Sequence, residues 1–129
     1  MPLVASDPPQ VAARPAVWRI TDRRAFARLR SDGARARGHA VSVTWAAPAG
    51  PGPGVPRIGF AVARRAGGAV VRNRVRRRLR AACRELAGRG ALPAGDYLLG
   101  AGGAAASVPW PELVTDLETT VERATRGTR

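Results

Sequence analysis

The spacing of hydrophobic residues divides the chain into helical and extended segments. Hydrophobic positions three and four residues apart predict three helices, at residues 22–31, at residues 69–88 and in a last segment with Pro111 in its first turn. Alternating side chains predict two strands, at 39–46 and 57–63, and the apolar run from Tyr97 to Leu99 predicts a third at 96–101. The resulting order, α-β-β-α-β-α, predicts an α+β fold, a small two-layer α/β sandwich.

Capping and turn residues support the limits of these elements. Thr21 is the predicted N-cap of the first helix, and Gly33 is its predicted C-terminal stop. Gly67 and Gly68 predict a turn before the long helix. Residues 47–56 contain four prolines and three glycines, so we expect a loop there.

The second predicted strand has two unlike faces. One is hydrophobic, and the other consists of the small residues Gly59, Ala61 and Ala63. Small residues would leave a shallow floor there rather than a packed layer. If the second and third strands share a sheet, the helix between them makes a parallel crossover, which general rules make right-handed.

The distribution of charge favours a polyanionic partner. The chain has a net charge of +13, and all 22 of its basic residues are arginine, a bias that a high-GC genome would also produce. Residues 33–84 contain twelve arginines and no acidic residue. Because charges of one sign repel each other, a nucleic acid is the natural partner of such a segment. A solvated basic surface and an anionic membrane surface are the alternatives.

Other features bound the organisation and the location of the protein. No apolar run is long enough to span a membrane, and the first residues lack the pattern of a signal peptide. Cys83 is the only cysteine, so no internal disulfide is expected. These features suit the cytoplasm. We expect a disordered tail at 1–17, one RNA-binding domain at 18–125 and a short tail at 126–129.

The long predicted helix carries the main candidate binding surface. Six of the nine residues from Arg72 to Arg80 are arginine. A helical projection places one apolar stripe on the core side and surrounds it with guanidinium groups. Arginine binds phosphate oxygens bidentately and also stacks on bases. The helix is about 30 Å long, enough to track several phosphates.

No catalytic or metal site of the protein's own is expected. His39 is the only histidine, and Glu85 has no second carboxylate nearby in the sequence. No pattern indicates a nucleophile with its base. The last helix has an acidic face that we expect to point away from the polyanion; it consists of Glu112, Asp116, Glu118 and Glu122.

Two further classes of nucleic-acid-binding protein remain open at this point. A ribosomal or other structural RNA-binding protein would explain the charge. A DNA-binding module would place the arginine-rich helix in a major groove. The second class is disfavoured because a strand, rather than a short helix at helix-turn-helix spacing, precedes residues 69–88.

The arginine-rich segment and its surroundings resemble the protein subunit of bacterial ribonuclease P. The resemblance rests on a strand at 57–62, the basic pair Arg64–Arg65, a glycine turn, and a helix that opens with Arg72–Asn73–Arg74. It extends upstream through the sequence AspArgArgAlaPhe at 22–26 and downstream to the last helix, and so covers roughly residues 18–120.

The resemblance implies a left-handed β-α-β crossover, against the general rule, and a division of labour between two surfaces. The long helix would bind the catalytic RNA, through residues that match the family's RNA-contacting helix: Arg72, Asn73, Arg74, Arg76, Arg77 and Arg80. A cleft beside the first helix would hold the 5′ leader of precursor tRNA and would include Phe26 and Arg65. The RNA and the magnesium it binds would hydrolyse the phosphodiester, so the protein would supply no catalytic residue and hold no metal. No membrane and no obligatory protein partner are implied.

The chain departs from the family pattern at two cleft positions. A second aromatic residue, one turn after Phe26, is replaced by Arg30. An aromatic near the end of the first predicted strand corresponds to either Thr44 or Trp45, and we assign Trp45 to the cleft with this alternative open. Because stacking contributes roughly 1–3 kcal/mol per base, the loss of one aromatic residue should weaken leader binding without abolishing it.

Overall fold

The computed structural model describes residues 18–48 and 54–126, which form five strands and three α-helices. The strands are β1 (Trp18–Arg19), β2 (Ala34–Arg37), β3 (Val41–Ala46), β4 (Pro56–Val62) and β5 (Gly95–Ala101). The helices are α1 (Arg23–Asp32), α2 (Ala69–Gly88) and α3 (Trp110–Arg126). Two short 3-10 turns lie at Arg64–Ala66 and Gly103–Ala106.

The five strands form one mixed sheet with the order β1-β4-β5-β3-β2. β4 runs parallel to its neighbours β1 and β5, whereas β3 is antiparallel to both β5 and β2. Since β4 and β5 are adjacent and parallel, the connection through α2 is a parallel crossover, as predicted. The hand of this crossover stays a prediction.

The main core lies between the sheet and the two longer helices. α2 contributes Val75, Leu79 and Leu86, and α3 contributes Leu117 and Val121; all five side chains are buried. They pack against the sheet residues that point to the same side, which include Val43, Ile58, Tyr97 and Leu99. The predicted apolar stripe of α2 therefore faces the core, and its arginines cover the outside.

α1 covers part of the opposite face of the sheet. Its buried residues Ala25 and Leu29 form a small second core with Ile20 and Ala46. The Asp22 side chain caps the helix by accepting a hydrogen bond from the backbone N–H of Ala25 at 3.1 Å. The prediction of Thr21 as the N-cap was therefore wrong by one residue.

The predicted order α-β-β-α-β-α lacks two strands that the structure contains. β1 has only two residues, and β2 has the sequence AlaArgAlaArg. β1 is too short to show a period, and β2 alternates but has alanine where a strand usually has a branched or aromatic side chain. Both strands lie at an edge of the sheet, where one face and one hydrogen-bonding side stay open.

The limits of α2 agree with the prediction of a helix over 69–88. Gly67, just before the helix, has a φ of 147°, a conformation that favours glycine. A side chain there would also collide with Val71, since an ideal Cβ atom would lie 2.8 Å from the Val71 Cβ atom. The turn that aims α2 across the sheet therefore requires glycine.

Several expectations concern residues outside the described ranges. They are the tails at 1–17 and 127–129 and the middle of the predicted loop, 49–53. Arg126, predicted to begin the C-terminal tail, is instead the last residue of α3. Within the described residues, no helix is long and apolar enough to cross a membrane.

Candidate nucleic-acid interface

The outer surface of α2 presents a row of arginines without acidic partners. Seven arginines occur from Arg72 to Arg84, and none makes a salt bridge within the part of the chain that the structure describes. Arg74, Arg77 and Arg84 are exposed, as is Asn73. Their positive charge is therefore available to a partner from solution. We call this surface the α2 surface.

Some arginines of this helix also contact the protein itself. Arg76 donates a hydrogen bond to the Asn73 side-chain oxygen at 3.0 Å. The Arg80 guanidinium lies over the Phe60 ring, 5.4 Å from its centroid. The Nε atom of Arg72 is buried without a hydrogen-bond partner among the described residues. The six predicted RNA-binding residues thus lie on one helix, but they differ in exposure and in their contacts with the rest of the protein.

Arg78 is fixed to the protein backbone, although its position in the sequence suggests a free charge. It donates to the carbonyl oxygens of Ala105 at 2.7 Å and Val108 at 2.5 Å. These bonds tie the turn before α3 to α2. Arg78 is therefore a structural residue whose charge adds to the α2 surface.

Asp116, on the predicted acidic face of α3, is bonded to the backbone of a neighbouring turn. The carboxylate of Asp116 accepts hydrogen bonds from the backbone N–H groups of His39, Ala40 and Val41, at 2.8, 2.8 and 3.2 Å. Asp116 therefore holds the turn between β2 and β3 against α3. Charge-assisted bonds of this kind are roughly twice as strong as neutral ones.

A second candidate surface lies on the opposite face of the sheet, beyond the end of α1. It consists of two adjoining depressions of about 330 and 400 Å³. Their shared floor contains Ser42, Ala61 and Gly100, and Arg37 stands at their shared rim. The floor is shallow because its side chains are small, which agrees with the prediction for the small-residue face of β4. We call this surface the groove.

Three arginines surround the groove. Arg65 follows β4 and lines one depression, Arg35 lines the other, and Arg37 lines both. Arg65 was predicted from the sequence, whereas Arg35 and Arg37 were missed. The alternation in AlaArgAlaArg was the available signal, since residues two apart on a strand share a face.

α1 carries the other predicted cleft residues, Phe26 and Arg30, and neither of them lines the two depressions. Phe26 is half-buried and its ring rests on Gly59, where an ideal Cβ atom would lie only 2.6 Å from the Phe26 Cε1 atom. Arg30 is exposed and lies one turn after Phe26, so the two share a flank of the helix. The absence of a side chain at Gly59 therefore allows the Phe26 ring to pack directly against the sheet.

Trp45 does not face the groove, so its assignment to the cleft was wrong. Its side chain is 9% exposed in the main core, and its Nε1 atom donates to the carbonyl oxygen of Ala94 at 3.2 Å. Successive side chains of a strand point to opposite faces, and the neighbouring Thr44 lines the groove instead. The groove therefore has the hydroxyl of Thr44 at the position where the assignment of Trp45 would have put an aromatic ring.

A buried carboxylate fixes α1 to the sheet beside the groove. Asp96, 2% exposed, accepts two hydrogen bonds from Arg57, at 2.7 and 2.8 Å, and one from Arg28 at 3.1 Å. The hydrogen bond to Asp96 raises the pKa of Arg57, against the effect of burial. Arg28 also donates to the carbonyl oxygen of Ala47 at 2.8 Å. These contacts set the position of α1 and therefore of Phe26 and Arg30.

The side chains of Cys83 and Tyr97 are buried and belong to the main core. Cys83 is buried in the main core, and burial raises the pKa of its thiol to about 12. Burial also raises the pKa of Tyr97, whose hydroxyl donates to the carbonyl oxygen of Pro93 at 2.5 Å. Among the described residues, no three His, Cys, Asp or Glu side chains gather in a group that could hold a metal ion.

The family model and the curated relatives that match this chain all belong to ribonuclease P. The sequence model of the family described as Ribonuclease P matches residues 15–125. A ribonuclease P protein component from Thermus aquaticus is 39% identical over 110 residues, which are 85% of this chain and 60% of that protein. The one from Brucella suis is 41% identical over 78 residues, 57% of this chain and 55% of that protein. The chain thus matches somewhat more than half the length of these curated relatives.

Solved structures show the same fold. The ribonuclease P protein from Thermotoga maritima superposes with a TM-score of 0.69 at 22% identity, over 81% of this chain and 96% of that chain. A mutant Staphylococcus aureus RNase P protein with defective mRNA degradation activity superposes with a TM-score of 0.71 at 22% identity, over 84% of this chain and 88% of that chain.

Proposed function

The chain belongs to the ribonuclease P protein family, and from this premise we propose that it is the protein subunit of a ribonucleoprotein endonuclease. The enzyme would remove the 5′ leader of precursor tRNA and so produce the mature 5′ end. The observation that carries this proposal is the α2 surface, whose seven arginines have no acidic partner among the described residues.

In this proposal the α2 surface anchors the protein on the catalytic RNA. Each arginine that contacts a phosphate releases counterions, so the anchoring contacts give affinity that depends strongly on salt. Asn73 stands between two arginines and is exposed, where its amide can bond a base edge or a 2′-hydroxyl. The α2 surface would thus bind phosphates through its arginines and one base edge or 2′-hydroxyl through Asn73.

The groove would receive the leader of precursor tRNA as a single strand. Its small floor residues allow a backbone to approach the sheet closely, and Arg35, Arg37 and Arg65 offer guanidinium groups to the phosphates on the way. Phe26 offers part of a ring face for stacking, and Arg30 replaces the second stacking residue with a positive charge. Leader binding here would therefore rest more on phosphates than on bases.

Phosphodiester hydrolysis would be carried out by the RNA with its bound magnesium. The protein would assist by neutralising phosphates and by holding the leader in place. Its own residues would then bind and orient, and no side chain would attack the phosphate or transfer a proton.

The direct test is leader removal from precursor tRNA by the cognate RNA at low magnesium concentration, with and without the full-length protein. We expect the protein to stimulate cleavage at the mature 5′ end, because it supplies positive charge that magnesium would otherwise supply. The absence of stimulation at every magnesium concentration would refute the proposal. Recovery of the protein with ribosomes rather than with one structured RNA would favour a ribosomal or other structural RNA-binding protein.

A further inference from the structure

An open recess of about 340 Å³ lies where α2 passes the first turn of α3. It is lined by Arg74, Arg77, Arg78, Ala81 and Trp110. The recess is on the side of the sheet opposite the groove, because both helices pack on that side. It therefore belongs to neither the leader-binding surface nor the core.

The aromatic wall of the recess is held in a fixed orientation. Trp110 is half-buried, and its Nε1 atom donates to the Glu85 carboxylate at 3.3 Å. The Arg78 guanidinium lies over the ring, 5.9 Å from its centroid, and is itself held by two backbone carbonyls. A ring fixed in advance loses little conformational entropy when a planar group stacks on it.

The opposite wall supplies free positive charge. Arg74 and Arg77 are exposed and have no hydrogen-bond or salt-bridge partner among the described residues. Ala81, one turn after Arg77, keeps the middle of the recess open because its side chain is a single methyl group. The recess thus joins one fixed aromatic ring to two arginines that lack a counter-ion.

We propose that this recess binds one unpaired nucleotide of the catalytic RNA, with the base against Trp110 and its phosphate between Arg74 and Arg77. The volume lies within the range of about 300–1,000 Å³ that is usual for small-ligand pockets. The inference rests on the proposed function. The catalytic RNA, rather than precursor tRNA, is the occupant because Arg74 and Arg77 also belong to the α2 surface.

The first experiment measures binding of the full-length protein to the catalytic RNA and, separately, to precursor tRNA. Trp110→Leu should lower affinity for the catalytic RNA about 5- to 100-fold, because it keeps an apolar side chain but removes the stacking face. Trp110→Phe should stay within about threefold of the wild type. It is the matched control, because it keeps an aromatic face in the recess.

A second variant tests the recess without changing Trp110. Ala81→Leu, at an exposed helical position, should fill the recess and lower affinity for the catalytic RNA about as much as Trp110→Leu does. The dependence of affinity on salt adds an independent criterion. Stacking releases no counterions, so Trp110→Leu should keep the salt slope of the wild type while binding more weakly at every salt concentration. Ala81→Leu also excludes the phosphate from Arg74 and Arg77, so it should make the slope less steep.

Three outcomes would overturn the inference. The first is wild-type affinity for the catalytic RNA in both Trp110→Leu and Ala81→Leu. The second is an equal loss of that affinity in the Phe and Leu variants of Trp110. The third is a loss of affinity for precursor tRNA alone. The double change Arg72→Ala with Arg74→Ala distinguishes these from a failure of the proposed function. If that variant also binds the catalytic RNA as the wild type does, the α2 surface is not the anchor at all.

Discussion

The α2 surface and the groove side of the sheet use the same residue type in opposite electrostatic settings. On α2, seven arginines stand without a carboxylate partner in the described structure. Beside the groove, Arg28 and Arg57 converge on the buried Asp96. An arginine that is already paired stabilises the fold, whereas an unpaired one is available to bind RNA. A count of arginines therefore says less about binding than the positions of the acidic residues in the described part of the chain do.

The two surfaces also differ in shape. The α2 surface is the convex side of a helix, which can follow phosphates along folded RNA but cannot enclose a strand. The groove is concave and has a floor of small residues, so a single strand could lie close to the sheet there. This difference predicts that changes on each surface affect different RNAs.

The largest effect is expected on the free energy of unfolding, when the carboxylate that pairs with both Arg28 and Arg57 is removed. Asp96→Ala should lower the free energy of unfolding by about 3 kcal/mol, because it leaves Arg28 and Arg57 without their common partner. Denaturant titration measures it. Glu122→Ala, which breaks an exposed i,i+4 pair with Arg126, is the control and should cost less than about 0.5 kcal/mol. Equal losses in the two variants would mean that Asp96 has no special structural role.

The next effect concerns the unpaired arginines of α2. Arg72→Ala combined with Arg74→Ala should lower affinity for the catalytic RNA by about 2–3 kcal/mol, roughly 30- to 150-fold, and make the salt slope less steep by about 1.5. Salt titrations of binding measure both quantities. The pair Arg23→Ala with Arg24→Ala on α1 removes the same charge from exposed positions. If it weakens binding equally, net charge rather than the α2 surface explains the affinity.

A smaller effect is expected at Phe26. Phe26→Leu should weaken binding of precursor tRNA by the assembled ribonucleoprotein by about 1 kcal/mol, close to fivefold, with no change for mature tRNA. Leucine preserves most of the contact with Gly59 but loses the stacking face. An unchanged affinity for precursor tRNA would show that Phe26 serves only the second core.

The sequence predicts the elements whose side chains carry a strong local pattern. The limits of α2 follow from Gly67–Gly68 before it, its apolar stripe and Gly88 at its end. Three of the five strands were found for the same reason. The face of β3 was harder, because Val41 and Val43 alternate correctly but the alignment left Thr44 and Trp45 exchangeable. The period of two was the available signal, since it places Trp45 on the face of Val41 and Val43 and Thr44 on the other face, and the packing of Trp45 into the core agrees with it.

Long-range polar contacts could not be predicted from local patterns. Asp96 meets Arg28 across 68 residues, and Asp116 caps a turn more than 70 residues before it. On a helix projection Asp116 looks the same as the exposed acidic residues around it. Which carboxylates are used inside the fold, and therefore which arginines remain free, depends on the tertiary arrangement.

The most direct test of the two-surface account is one groove-filling change followed by two binding measurements. Ala61→Leu places a larger side chain at an exposed position on the groove floor. The account predicts unchanged affinity of the protein for the catalytic RNA and loss, by about tenfold, of the ribonucleoprotein's preference for precursor over mature tRNA. Loss of affinity for the catalytic RNA with the preference intact would contradict the account.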